Sequence, residues 1–111
     1  DVGCGSGYLT ACLGRMLAGG PGGQSPSGPP GRVYGIDRLS RLVETSRRNL
    51  ARADGDLLAG VDPAVTLQKR DGWRGLPVAA PFAAIHVGAA AEELPVALMA
   101  QLAEKGRMVC P

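Results

Sequence analysis

The stretch DVGCGSG, residues 1–7, decides the fold prediction for this chain. Gly3, Gly5 and Gly7 stand at alternate positions, and glycines so placed allow a tight turn and let a ligand approach the backbone closely. The next residues, 8–18, carry apolar side chains at helical spacing. The segment therefore predicts a glycine-rich loop that enters a helix. An ordinary glycine turn with no ligand is the alternative.

The chain beyond this loop alternates between strand and helix patterns. The predicted strands are 32–37, 65–68, 82–87 and 107–110, and the predicted helices are 8–18, 39–53 and 92–103, the last with Pro95 in its first turn. Such alternation is typical of βαβ units with right-handed crossovers. We therefore predict the α/β class: a three-layer sandwich with a mainly parallel, Rossmann-like sheet.

Residues 18–31, AGGPGGQSPSGPPG, interrupt this pattern with residues that break helices and strands and bury little surface. A flexible Gly/Pro/Ser-rich insertion at about 19–31 is the prediction, and a linker between domains is the alternative. One domain is simpler, because the strand pattern resumes at once. Since Asp1 opens directly onto the glycine loop and Pro111 closes an apolar strand, we expect residues 1–111 to be a partial domain, truncated at both ends.

Composition excludes several classes of protein. A net charge of +2, from 12 basic and 10 acidic residues, is too balanced to indicate a nucleic-acid or membrane surface. Four arginines between residues 39 and 53 are expected on a solvated helix face, with a nucleic-acid patch as the alternative. Three cysteines without a CxxC pair favour neither a disulfide framework nor a metal site. A reducing, cytoplasmic compartment is the expectation.

Polar residues follow the predicted strands at one rim of the sheet, where ligands of α/β proteins bind. The glycine spacing is GxGxG rather than the GxGxxG of dinucleotide sites, and this favours S-adenosylmethionine. Asp37 ends the second strand, where a carboxylate can accept both ribose hydroxyls; a helix cap is the compatible alternative. Asp71 and Gly72 end the third strand, on the adenine side, although a DG pair is usually a turn.

Four blocks of the chain resemble protein-L-isoaspartate O-methyltransferases: DVGCGSGYLTACLGRM, VYGIDRLSRLVETSRRNL, RDGWRGLP and APFAAIHVGAAAEELPVALMAQL. The segment IHVGAAAEELPVAL is similar to this family in particular. The resemblance implies a class I methyltransferase fold and methylation of the free α-carboxylate of L-isoaspartyl residues in damaged proteins. S-adenosyl-L-methionine is the implied cofactor. Isoaspartyl-containing proteins or peptides are the implied partners, with no nucleic acid and no membrane, and the intact protein is expected to be a monomer.

The resemblance also implies roles for individual residues. The family's catalytic serine region lies upstream of the glycine loop, so no catalytic residue is expected in this chain. His86 and Val87 are candidates for substrate contact. A general-base role for His86 has a simpler alternative, a histidine that packs or hydrogen-bonds beside the loop. The predicted cofactor-binding residues are Asp1, Gly3, Gly5, Gly7, Asp37, Arg38, Asp71 and Gly72.

The chain departs from the family pattern at a few positions. Cys4 replaces Ser or Thr, Arg70 a glycine, Ala83 an aspartate, and residues 104–106 a Pro-Gly-Gly turn. Arg70 is expected to bring a cation near the adenine side. These departures keep two alternatives open: a catalytically weak or inactive relative that acts as a binding module or adaptor, and a class I methyltransferase with another substrate.

Overall fold

The computed structural model describes residues 1–19 and 31–111. Most of the predicted insertion, residues 20–30, lies outside the described residues. Within the described ranges no helix is long and apolar enough to cross a membrane. The strands are β1 (Val33–Asp37), β2 (Val65–Lys69), β3 (Phe82–His86) and β4 (Leu102–Val109), and the α-helices are α1 (Tyr8–Leu17), α2 (Ser40–Ala53) and α3 (Val96–Met99).

Two parallel strand pairs form the sheet, and the first residues of the chain join them. β1 pairs with β2 from Val33 against Val65 to Asp37 against Lys69, and β3 pairs with β4. Val2 lies between the pairs and forms parallel bridges to Ile36 and to Val87. Residues 1–3 are called the Val2 segment. The spatial order is therefore β2, β1, the Val2 segment, β3, β4. These pairings confirm the predicted α/β class with a mainly parallel sheet.

Small residues bring α1 close to the sheet. Thr10 and Gly14 are its buried positions, whereas Met16 is 72% exposed. A side chain at Gly14 would begin 2.6 Å from a methyl carbon of Val65, so glycine permits the contact. The apolar periodicity thus predicted the helix correctly, but the inward face belongs to the small residues between the larger apolar ones.

The amphipathic helix α2 completes the larger core. Val43, Ser46 and Leu50 are buried, and the arginines of this helix are exposed, as expected for a solvated face. Val43 and Leu50 belong to one hydrophobic cluster with Cys4, Val33, Leu57, Val65 and Leu67. A second, smaller cluster on the other side of the Val2 segment contains Ile85, Val87 and Leu98.

The prediction of a helix over residues 92–103 was wrong. Only Val96–Met99 is helical, and Pro95 is the residue that precedes the helix rather than a member of its first turn. Proline disfavours helical geometry in the residue before it, and this keeps residues 92–94 out of the helix. At the other end, the amide of Phe82 donates to the carbonyl of Gln101, so the chain is already turning into β4.

The last strand also begins earlier than predicted, at Leu102 rather than at Arg107. Its register against β3 shifts between the pairs Phe82 with Leu102 and Ala84 with Arg107. The additional residues bulge, and Lys105 takes a left-handed φ of 61°. Polar residues in this bulge obscured the strand, because a bulged segment lacks the alternation of a regular one.

Candidate functional site

A cleft of about 360 Å³ lies at the carboxyl ends of the strands. Its walls come from the glycine loop (residues 1–7), from the loops after β1 and β2, and from residues 87–98 after β3. It lies where the chain order of the strands reverses, between the Val2 segment and β3. In doubly wound sheets this reversal is the ligand-binding position, because the loops on its two sides diverge and leave a crevice.

The glycine loop meets the cleft through Gly3. This residue has a φ of 79°, and its amide donates to the carbonyl of Ile36 over 2.8 Å. An added Cβ would lie 3.8 Å from Ala89, so the loops after the Val2 segment and after β3 approach each other across the cleft. The left-handed conformation of Gly3 therefore directs the chain away from the sheet and leaves backbone exposed to the cleft.

Asp37 joins the loops at one side of the cleft. The residue is 8% exposed and lines the cleft at the end of β1. One carboxylate oxygen accepts the amide of Leu39 at 3.0 Å, and the other accepts the amide of Gly5 at 3.2 Å. Each oxygen has a second lone pair, so the carboxylate can accept ligand hydroxyls while it keeps both contacts. The contact with Leu39 shapes the turn before α2 and does not cap the helix, because Leu39 is itself the N-cap residue and α2 has no side-chain cap. The helix-cap alternative for Asp37 was therefore wrong.

Asp71 and Gly72 also line the cleft, on the loop after β2. Asp71 Oδ1 accepts the amide of Trp73 at 3.0 Å, so this carboxylate shapes its own turn. A side chain on Gly72 would begin 2.8 Å from Val2, and its absence leaves room at the floor of the cleft. Arg38 and Val87, two further predicted site residues, lie on the same lining.

Four predicted site residues lie outside this lining: Asp1, Gly5, Gly7 and His86. Gly7 is a packing glycine, since a Cβ there would begin 2.7 Å from Leu50 and 2.8 Å from Ser46. The amide of Gly5 donates a hydrogen bond to the carboxylate of Asp37. The side chains of Asp1 and His86 contact each other rather than the cleft. Residue spacing predicted a loop that reaches the cleft through Gly3, but not the direction in which each of its other members points.

Sequence reasoning did not include the apolar lining of the cleft in the site. Leu39, Trp73, Ala90, Pro95 and Leu98 all line it. Trp73, the only tryptophan in the sequence, is 56% exposed although its side chain is large and mostly apolar. Its position directly after the Asp-Gly pair was the available signal, because an aromatic residue beside a predicted ligand loop has a flat apolar face to offer.

Two departures from the family pattern have simple structural consequences. Arg70 does not line the cleft, contrary to expectation. Side chains two apart share a face of an extended chain, and the Arg70 guanidinium accordingly donates to Gln68 at 3.4 Å. Cys4 is buried in the larger core. Burial raises the pKa of its thiol, and the charge of Asp37 acts in the same direction while a hydrogen bond with Ser46 opposes it.

The chemistry of the cleft is that of a binding surface with a mixed lining. Apolar side chains from the Val2 segment and from the loops after β1, β2 and β3 surround two carboxylates and one guanidinium. Across residues 1–19 and 31–111 no cluster of three or more His, Cys, Asp or Glu side chains has the geometry to hold a metal ion. The strand order and the position of the cleft define a doubly wound α/β domain with a ligand site at its switch point.

Comparison with known proteins assigns this domain to a family. The family model described as protein-L-isoaspartate(D-aspartate) O-methyltransferase matches residues 1–111. A protein-L-isoaspartate O-methyltransferase of Triticum aestivum is 45% identical over the whole chain, and one of Caenorhabditis elegans is 41% identical. The chain covers 44% of the length of each of these two relatives.

Solved structures agree with the sequence comparison. A crystal structure described as a protein-L-isoaspartate O-methyltransferase from Plasmodium falciparum, in complex with S-adenosyl-L-homocysteine, superposes with a TM-score of 0.80 at 33% identity. It matches all of this chain and 49% of its own. The architecture is therefore that of a class I methyltransferase. The chain belongs to the protein-L-isoaspartate(D-aspartate) O-methyltransferase family.

Proposed function

We propose that the cleft binds S-adenosyl-L-methionine and that the intact protein uses it to methylate the free carboxylate of L-isoaspartyl residues in damaged proteins. The observation that carries the proposal is the cleft at the switch point, lined by five of the residues expected to contact a cofactor: Gly3, Asp37, Arg38, Asp71 and Gly72. The Plasmodium falciparum relative, which shares this architecture, holds S-adenosyl-L-homocysteine.

The residues present fit this cofactor. Asp37 ends β1 with lone pairs available for two vicinal hydroxyls, and Gly3 lets a ligand lie against the backbone. Trp73, Leu39 and the alanines after Gly88 give apolar surface for a purine ring. A volume of about 360 Å³ lies within the range of small-molecule clefts.

The proposed chemistry needs few groups from the described residues. Bound S-adenosylmethionine supplies a methyl group on a sulfonium with a good leaving group. An isoaspartyl carboxylate is already ionised at neutral pH and needs no general base. The residues of the cleft accordingly bind, orient and exclude water, and these effects lower the barrier by alignment and desolvation. His86 has no required proton-transfer role, and its absence from the cleft lining agrees with this.

In this proposal residues 1–111 form part of one S-adenosylmethionine-dependent methyltransferase domain. The chain spans less than half of the relatives it matches, and the cleft is open to solvent along one side. A cofactor held by a partial wall is neither aligned nor dehydrated. We therefore expect the 111-residue chain alone to transfer no methyl group, even where the intact protein does.

Two measurements on the intact protein test the proposal. Calorimetry with S-adenosylhomocysteine should show binding, with a nicotinamide dinucleotide as the control ligand. Transfer of a labelled methyl group to an isoaspartyl peptide should exceed transfer to the same peptide with normal aspartate, and the 111-residue chain is assayed in parallel. Binding with no transfer would indicate the non-catalytic binding module instead. Binding of the dinucleotide but not of S-adenosylhomocysteine would overturn the methyltransferase assignment.

A further inference from the structure

The side chains of Asp1, Thr10 and His86 form a hydrogen-bonded network behind the cleft. The Asp1 carboxylate is 2% exposed. Its Oδ2 accepts the Thr10 hydroxyl at 2.5 Å, and its Oδ1 lies 3.0 Å from Nδ1 of His86. Because an ionised carboxylate can only accept, the ring nitrogen is the donor, and this contact fixes the tautomer of the histidine.

This network crosses the narrowest join in the sheet. The Val2 segment connects β1 with β3 through isolated bridges rather than through a full strand pairing among the described residues. The amide of Val2 donates to the carbonyl of His86 at 2.8 Å, and the amide of Gly88 donates to the carbonyl of Val2 at 2.7 Å. The side-chain network therefore reinforces the same join and connects it to α1 through Thr10.

Asp1 and His86 lie on the two sides of this join, and each is next in sequence to residues that line the cleft. Asp1 is followed directly by Val2 and Gly3, and His86 is followed by Val87; these three neighbours line the cleft. A buried carboxylate is costly unless its oxygens are hydrogen-bonded, so Asp1 holds its position only while its donors stay in place. A displacement of His86 would move the loop after β3 relative to the glycine loop.

We propose that His86 is a positioning residue for the cofactor cleft, acting through Asp1 to hold the glycine loop against the loop that follows β3. The inference rests on the proposed function, because the ligand it concerns is the cofactor. It differs from the sequence-based expectation of substrate contact: the imidazole is 35% exposed, lies outside the cleft lining and directs Nδ1 toward Asp1.

A matched pair of substitutions in the intact protein tests this role. Asn places an amide N–H at nearly the position of the imidazole Nδ1, whereas Leu has a similar shape and no donor. His86→Leu should weaken binding of S-adenosylhomocysteine about tenfold, the scale of an unsatisfied buried acceptor, while His86→Asn should stay within about threefold of the wild type. In turnover, KM for S-adenosylmethionine should rise more than kcat falls.

A second pair removes the other donor and covers the case in which His86→Leu does not fold. Thr10→Val lacks the hydroxyl and should also weaken binding, whereas Thr10→Ser retains it and should not. Thermal unfolding of all four variants separates folding from positioning. Wild-type affinity in a folded His86→Leu protein, or equal losses in the Leu and Asn variants, would overturn the inference. Failure of the wild-type protein to bind S-adenosylhomocysteine would instead refute the proposed function.

Discussion

The two halves of the sheet are built differently. The amino half, which contains α1, β1, α2 and β2, has a large core and regular strands in continuous register. The carboxyl half, which contains β3, α3 and β4, has a smaller core, a four-residue helix and a strand with a bulge. The cleft takes Asp37 and Asp71 from the first half and apolar loop residues from the second. A regular scaffold thus places the charged groups, and a less regular one provides the opposite wall.

The largest effect is expected from shortening two equally buried leucines, one in each half of the sheet. Leu50 and Leu98 are each 2% exposed, but only the second lines the cleft. Leu50→Ala should lower the free energy of unfolding by about 4 kcal/mol and Leu98→Ala by about 2.5 kcal/mol, because a small core at the edge of a cleft relaxes more easily around a cavity. Urea unfolding of the intact protein measures both.

The affinity for S-adenosylhomocysteine should fall in the Leu98→Ala variant and stay unchanged in Leu50→Ala. Equal losses of stability with equal affinities would show that the two halves do not differ as described.

A second prediction concerns the packing of the glycine loop against the amino half. Gly7 has a φ of 82°, and a Cβ there would meet Leu50 at 2.7 Å. Gly7→Ala should cost about 3 kcal/mol, from backbone strain together with overpacking. Gly5→Ala is the matched control, because its φ of 54° is also left-handed but nothing lies within 4 Å of the added carbon. Its cost should be about 1 kcal/mol in the same unfolding assay.

The sequence predicted the amino half well for a physical reason. Its helices are long enough for the apolar period to emerge, and its strands are short apolar runs that end at polar loops. In the carboxyl half, Leu94, Val96, Leu98, Met99 and Leu102 fit a helical pattern, yet pairing of Leu102 with Phe82 places it in a strand. Tertiary contacts override local periodicity where a segment is short.

The candidate site shows the same limit at the level of single residues. Asp37 and Asp71 were predictable, because the carboxyl ends of parallel strands meet at one rim. The orientations of Asp1 and His86 were not, since their side chains turn to each other behind the cleft. The sequence places Trp73 directly after the Asp-Gly pair, but only the folded structure shows that this residue stays exposed to solvent.

A third prediction isolates the carboxylate contributed by the amino half. Asp37→Ala should weaken S-adenosylhomocysteine binding by about 2 kcal/mol, the scale for removing a hydrogen-bond partner of a charged group. Asp62→Ala is the control, because Asp62 forms an exposed ion pair with Arg32 and does not line the cleft. Calorimetry on both variants is the measurement. Unchanged affinity in a folded Asp37→Ala protein would leave Asp37 with a structural role only.

A fourth prediction uses Trp73 as a reporter of the cleft. Binding of S-adenosylhomocysteine should change the tryptophan emission, and Trp73→Phe should abolish that change while it keeps the affinity. Trp73→Ala should weaken binding by about 1 kcal/mol, because it removes an aromatic face. Unchanged tryptophan emission when the wild-type protein binds the ligand, together with unchanged affinity in Trp73→Ala, would show that the indole lies away from the ligand.

The smallest expected effect tests the bulge of the carboxyl half. Lys105 holds a φ of 61°, a left-handed conformation that costs an L-residue roughly 1–2 kcal/mol and glycine almost nothing. Lys105→Gly should therefore stabilise the intact protein by about 0.5 kcal/mol, after the greater flexibility of glycine in the unfolded chain offsets part of the gain. Glu104→Gly, one residue earlier, relieves no such strain and should destabilise by about 0.5 to 1 kcal/mol. Urea unfolding midpoints that shift in opposite directions for the two variants would place the strain at Lys105. Parallel losses would mean that the bulge is relaxed, and that the irregularity of this half comes from its loops rather than from β4.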